Sequence, residues 1–230
     1  MTDSLDAARA PIRHIVILGH PEPGSFNHEV AERYCKTVRE IGHEAVVRDL
    51  YELDFDPRLR ANRRPGHATG MSADVAHEIG LLRDADVLVL VYPIWFGMPP
   101  AIIKGYVDRV LGVALTPADI RDHQPDSVLV GKWFGTFSSS ATTRIWLDEK
   151  GQMESIRQAF DRYLMGIFGM LDAGHVHFGA VVEGVDARFV RESLFQVEEQ
   201  ARKICSTVGA ARHAIKAREA IAVLAGREVD

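Results

Sequence analysis

The 230-residue chain is poor in cysteine, with Cys35 and Cys205 alone. Two thiols far apart in sequence exclude a disulfide scaffold and suit a reducing compartment. It also lacks a basic excess. Lys and Arg number 27 against 32 Asp and Glu, a formal net charge of −5, which excludes the broad cationic face of a general nucleic-acid binder. No uninterrupted apolar run reaches membrane-spanning length. Val87 to Ile103 carries no charge, but Pro93, Gly97, Pro99 and Pro100 break it, and Asp84, Asp86 and Lys104 flank it closely. That pattern reads as a buried strand plus a loop, not a membrane span. The N-terminal thirteen residues lack the apolar core of a secretory signal, so the expectation is a cytoplasmic protein with no membrane insertion. Internal repeats are missing too, as are the G-x-G-x-x-G fingerprint, the G-x-x-x-x-G-K-[ST] phosphate loop and the G-x-S-x-G elbow.

What is present is apolar material, 47% of the residues, arranged in alternating strand and helix patterns. His14 to Gly19, Ala45 to Asp49, Val87 to Val91, Ser127 to Thr136 and Ala173 to Val182 read as strands. Asn27 to Ile41, Ala73 to Arg83, Ala101 to Leu111, Met153 to Gly169 and Arg188 to about Lys216 read as helices, the first stopping at Gly42. Phe55 to Ser72 is a long excursion rich in Arg, Pro and Gly, and its run Arg58 to Arg64 reads as a solvated loop. Five strands alternating with five helices predict an α/β fold: a flavodoxin-like three-layer sandwich around a five-stranded parallel sheet of order 2-1-3-4-5. Residues 1–216 form one domain on this reading, with 217–230 as a tail.

In a parallel sheet the loops after strands one, three and four emerge at the same edge. The first, His20-Pro-Glu-Pro-Gly-Ser-Phe-Asn27, presents backbone N–H groups with Gly24, Ser25 and Asn27 at a helix N-terminus. It is a phosphate site in outline, or an ordinary capped helix start. The second, from Pro93 through Ile94, Trp95 and Phe96, offers flat aromatic surface for stacking a planar ring, or packs as a loop core. The third, Phe137-Ser-Ser-Ser-Ala-Thr-Thr-Arg144, reads as a small, flexible, hydroxyl-rich loop. His175 and His177 point to one face of a strand, which reads as a polar strand face more readily than a metal site.

Taken together, His20-Pro-x-x-x-Ser25-Phe26-Asn27 followed by Pro93-Ile-Trp-Phe-Gly-Met-Pro-Pro-Ala-Ile-Ile-Lys-Gly-Tyr-Val-Asp-Arg-Val110 resembles the NAD(P)H:quinone oxidoreductase family of flavodoxin-like flavoproteins. Asp49-Leu-Tyr51 and Phe55-Asp-Pro57 match as well, and the resemblance covers roughly residues 13 to 205. It implies a flavin enzyme that passes hydride from NAD(P)H to a quinone-like or other aromatic acceptor by a ping-pong mechanism. The implied cofactor is FAD, with FMN the alternative, and the implied assembly is a homodimer. By the same resemblance His20, Gly24, Ser25, Phe26 and Asn27 hold the flavin phosphate, Pro93, Ile94, Trp95 and Phe96 face the ring, and Phe137, Ser138, Ser139 and Ser140 form its other wall.

Two departures stand out. The family usually has Thr-Thr-Gly-Gly where this chain has Phe137 to Ser140, and the Tyr and His that follow in mammalian-type members are absent. Arg144, Lys150 and Trp146 are the candidates to supply charge or stacking in their place, with Arg144 and Trp146 the candidate catalytic residues. No metal is expected. The alternative functions are an electron-carrier flavodoxin and a regulatory flavin-binding subunit of a membrane transporter.

Overall fold

In a computed structural model, residues 10–60, 71–113, 115–122 and 127–225 are described. The strands are β1 (Arg13–Leu18), β2 (Glu44–Asp49), β3 (Val87–Pro93), β4 (Trp133–Ser139) and β5 (Leu171–Phe178). All pair in parallel in the order β2-β1-β3-β4-β5, the expected flavodoxin-like topology. The alternation along β3 shows why this run cannot be a surface strand. Leu88, Leu90 and Tyr92 pack into one apolar layer, while Val87, Val89 and Val91 pack into the other. Every residue of β3 is buried, as a central parallel strand covered on both faces requires.

Helices α1 (Phe26–Glu40), α2 (Ala73–Asp84), α3 (Ala101–Tyr106), α4 (Pro117–Asp122), α5 (Arg144–Glu149), α6 (Gln152–Ile156), α7 (Tyr163–Phe168) and α8 (Ala187–Ala225) complete the order. The layer of Val16, Val30, Tyr34, Val89, Phe137, Val197 and Ile204 buries α1 and α8. The opposite layer, with Ile17, Leu82, Leu90, Tyr106, Phe134 and Phe160, buries α2, α3 and the α6–α7 region. Glu78 of α2 lies within that second layer. Arg48 meets its Oε1 at 2.5 Å, and the Tyr106 hydroxyl donates to Oε2 at 3.1 Å. Among the described residues no helix is long and apolar enough to cross a membrane.

Several boundaries differ from the sequence reading, each for a local reason. β4 starts at Trp133 rather than Ser127, because Val128 to Val130 sit in a turn that Gly131 closes at φ +75°. Leu129 is buried all the same, so the apolar triplet imitates a strand while serving as an anchor. β5 spans Leu171 to Phe178, not Ala173 to Val182, since Ala180 takes φ +58° and turns the chain. The helices expected over Ala101 to Leu111 and Met153 to Gly169 each widen into a π-helical stretch, Val107–Leu111 and Arg157–Arg162. Such bulges cluster at functional positions. α8 continues nine residues beyond Lys216 to Ala225, and Arg212 on it meets Asp86 at 2.5 Å. In the excursion, Arg58 and Arg60 bind Asp56, whereas residues 61–64 of the arginine run lie outside the described residues.

Candidate active site

At the carboxyl edge of the sheet, a cleft of about 560 Å³ is lined by the loops after β1, β3, β4 and β5. His20, Ser25, Phe26 and Asn27 form its first wall, and Pro93, Ile94 and Trp95 its second. Ser139 and Ser140 form the third, Val181, Val182, Glu183 and Val185 the fourth. The fourth wall is the part that the sequence reading missed. Its signal was the topology itself, since β5 lies beside β4 and its loop must leave at the same edge.

Two of the expected loops are tied directly together. The Asn27 amide donates to Ser139 Oγ at 3.0 Å, so a residue of α1's first turn grips the end of β4. The first turn of α1 carries no side-chain cap from Ser25. Instead the Ser25 hydroxyl meets His28 Nδ1 at 2.8 Å, and His28 Nε2 meets Asp49 Oδ2 at 2.9 Å. With a neutral imidazole, Asp49 accepts from Nε2–H and His28 Nδ1 accepts from Ser25. The leading backbone N–H groups of the helix are thereby left to an outside acceptor, the arrangement of an anion site at a helix N-terminus. Among the described residues no Lys or Arg lines the cleft, while Glu22, Glu29 and Glu183 do, so the positive end of the cleft is made by main-chain N–H groups alone.

The second wall is rigid and strained. Trp95 and Met98 exchange backbone hydrogen bonds at 3.0 and 3.1 Å across Phe96 and Gly97, whose φ values are +50° and +81°. Two left-handed central residues make the mirror-image tight turn, natural for Gly97 and costly for Phe96. Gln152 donates to the Gly97 carbonyl at 3.0 Å, and a Cβ on Gly97 would lie 2.6 Å from the Gln152 amide nitrogen. The Trp95 ring stands 6.1 Å from that of His20. Glu22 N–H donates to His20 Nδ1 at 3.1 Å, and burial, the largest influence, lowers the His20 pKa.

Several expected site residues fall elsewhere. Phe137 and Ser138 belong to β4, not to a flexible loop, and both are buried. Phe137 stacks in the core near Phe178, at 6.5 Å and 5°, while Ser138 bonds to His175 and His177. The strand outlasts the expectation because Ser139 pairs with both Pro93 and Phe178. Gly24 and Phe96 are also absent from the cleft walls, and Phe96 is fully exposed. Arg144 pairs with Asp148 at 3.4 Å on α5, and neither it nor Trp146 lines the cleft. Nor does the missing Gly-Gly leave strain behind. The left-handed non-glycine residues among those described are Asp54, Phe96 and Ala180, so Ser139 and Ser140 need no glycine.

A family model described as a flavodoxin-like fold matches residues 13–204. The chain belongs to this flavodoxin-like family. The resemblance to NAD(P)H:quinone oxidoreductases is borne out among its relatives. An uncharacterized NAD(P)H oxidoreductase of Haemophilus influenzae is 37% identical over 102 residues, 44% of this chain and 50% of its own length. The chain spans about half the length of the curated relatives it matches. The structure of the NAD(P)H:quinone oxidoreductase from Methanothermobacter marburgensis aligns at TM-score 0.72 and 24% identity, over 84% of this chain and 98% of that one. An FMN-dependent NADH-azoreductase from Bacillus anthracis in complex with FMN aligns at 0.62 and 13%, over 84% and 99%. At these identities the likeness to solved structures is one of fold.

Proposed function

We propose that this chain is a flavin-dependent NAD(P)H oxidoreductase that reduces quinone-like or other aromatic acceptors, with donor and acceptor using one cleft in turn. The observation that carries the reading is the cleft, in which an uncapped helix N-terminus, an aromatic wall and a hydroxyl rim converge at the switch point of the sheet. The residues present fit a flavin. The backbone N–H groups of Phe26, Asn27 and His28 hold its phosphate, with Ser25 keeping the His28 ring in place beside them; Pro93, Ile94 and Trp95 face the ring; Ser139 and Ser140 meet its opposite rim. A bound flavin supplies the hydride-accepting and hydride-donating chemistry. The chain's own residues position the reactants against the Trp95 wall.

FMN is the cofactor we assign, in place of the FAD expected from sequence, on the support of the FMN-bound azoreductase neighbour. The reading includes a homodimer in the cytoplasm. Exposed Trp95, Phe96, Met98, Ile145 and Trp146 support the dimer, being apolar surface on the loop after β3 and on α5.

Heat release of the cofactor with chromatographic identification, followed by NAD(P)H oxidation against quinones, azo dyes and nitroaromatics, tests the proposal. Flavin release with turnover of at least one acceptor class is expected. Bound flavin without any NAD(P)H oxidation contradicts the enzyme reading.

A further inference from the structure

Behind the third wall of the cleft, polar side chains form an unbroken line through the layer between the sheet and the α6–α7 region. Asp161 Oδ2 meets His175 Nδ1 at 2.6 Å, and His175 Nε2 meets Ser138 Oγ at 2.6 Å. Ser138 Oγ meets His177 Nδ1 at 2.8 Å, and His177 Nε2 meets Ser140 Oγ at 3.1 Å. One end is closed off from the cleft, where a cavity of about 140 Å³ lies beside Asp161, His175, Arg157, Arg162 and Asp172. The other end, Ser140, lines the cleft. Asp161 sits on the π-helical stretch Arg157–Arg162 and is steadied by Thr136 Oγ1 at 3.4 Å. The side chains of His175 and Asp161 are 5% and 7% exposed, so the line is shielded along its length.

Hydrogen-bond valence allows this line two arrangements. In the first, both His175 nitrogens carry protons, donating to Asp161 and to Ser138. Ser138 then donates to His177 Nδ1, His177 Nε2–H donates to Ser140, and Ser140 donates to the Thr142 carbonyl at 2.9 Å. In the second, His175 donates only to Asp161. Ser138 donates back to His175 Nε2, His177 Nδ1–H donates to Ser138, and Ser140 donates to His177 Nε2. Every group is satisfied in both, and the two differ by one proton.

We propose that Asp161, His175, Ser138, His177 and Ser140 form a proton relay that delivers one proton from the Asp161–His175 pair to an oxyanion of the acceptor reduced in the cleft. The proposal rests on the oxidoreductase reading, because a quinone that receives hydride gains two electrons and one proton and needs a second proton. In the delivery step the Ser140 O–H bond breaks towards the oxyanion. His177 Nε2–H passes its proton to Ser140, Ser138 passes its own to His177 Nδ1, and His175 Nε2–H passes its own to Ser138. The line is then in the second arrangement, one proton short. Return to the first takes one solvent proton on His175 Nε2, since Nδ1 already carries one, with the Ser138 and Ser140 hydroxyls turning and His177 exchanging its tautomer. No electron moves along it.

The surroundings suit the role. His177 has its pKa lowered to about 4, first by burial, then by His175 and Arg144, and a neutral ring can take a proton on one nitrogen while giving one from the other. Arg144 and Asp148 of α5 face it, as does Arg157. Around Asp161 and His175 stand Arg157, Arg162 and Asp172, and the buried Tyr92 of β3 is raised well above the ordinary phenol range by burial and by Asp161.

Nitrogen NMR of the histidines across a pH titration of the full purified chain tests the relay. His177 is expected to change its protonated nitrogen in step with protonation of His175, and Ser138→Ala is expected to break that coupling while Ser138→Thr keeps it. A single His177 tautomer at all pH values, or a switch that persists in Ser138→Ala, overturns the relay. In single-turnover kinetics, reoxidation of the reduced enzyme by a benzoquinone is expected to slow roughly 100-fold in Ser138→Ala, the low end for a lost general acid. Its solvent isotope effect is expected to shrink, with reduction by NAD(P)H unchanged. Equal reoxidation rates overturn the relay alone, and the wild-type titration judges it even where Ser138→Ala does not fold. A chain that binds no flavin or oxidises no NAD(P)H overturns the oxidoreductase reading and the acceptor named here with it.

Discussion

His14 makes the folded chain acid-labile by a calculable amount. It lies buried on β1, with Nδ1 2.9 Å from the Tyr34 hydroxyl and Nε2 3.5 Å from Cys205 Sγ. Burial first, then His43 and Arg212, lower its pKa from 6.5 to about 3. A depressed histidine stabilises the folded state fully above the unfolded value, and this contribution fades as pH falls from 6.5 towards 3. At about pH 4.5 the unfolded imidazole gains on the order of 3 kcal/mol by binding a proton that the folded one refuses. That is a large share of a typical domain stability of about 5–15 kcal/mol. The experiment is a pair of urea titrations near pH 7 and pH 4.5 on the wild type and on His14→Gln. The variant starts from a lower baseline but is expected to lose on the order of 3 kcal/mol less between the two pH values. Equal losses in the two proteins would show that His14 is protonated in the folded state and would refute the reasoning.

Three further substitutions probe other parts of the molecule. Phe96→Asn relieves a left-handed aromatic and is expected to stabilise the chain by about 1 kcal/mol in urea unfolding, since Asn tolerates that region. If the homodimer reading holds, the same change weakens the dimer measured by light scattering. Glu78→Ala strands Arg48 and the Tyr106 hydroxyl within the α2–α3 layer, and denaturation is expected to show a loss of about 3–5 kcal/mol. Ser25→Ala removes the hydroxyl poised between His28 and the cleft. Flavin titration is expected to show weaker binding, by up to roughly 10-fold, the worth of the neutral hydrogen bond that holds His28 beside the helix start.

The sheet was legible because Val87 to Val91 and the Ile-Val-Ile-Leu of β1 have no polar face to expose, so both must be central, and short turns fixed the order of alternation. The first two cleft walls were legible for a related reason: a helix start rich in Gly, Ser and Asn, and aromatics bounded by prolines, stand right after those strands. The third wall was legible in part: Ser139 and Ser140 line the cleft as expected, but Phe137 and Ser138 do not. Phe137 and Ser138 look like the start of a loop in sequence, yet cross-strand pairing with β3 and β5 draws them into the sheet. The turn at Val128 to Gly131 delayed the start of the strand for a different reason, since backbone handedness at one glycine outweighed apolar pattern. His175 and His177 were rightly placed on one face of a strand. Their partners Asp161 and Ser138 were hidden, because the contact depends on a π-helical stretch and on strand register. Neither leaves a mark at the level of spacing.

The central claim is that the cleft between Ser25, Trp95 and Ser140 is a flavin site. Its most direct test is equilibrium titration of the cofactor-stripped chain with FMN and FAD, read by quenching of flavin fluorescence, alongside a variant with Asn27→Ala, which cuts the tie to Ser139. The account predicts saturable binding of flavin at one site per chain, tighter for FMN, and weakened in the variant. A chain that binds neither flavin, or binds both equally well with and without Asn27, contradicts it.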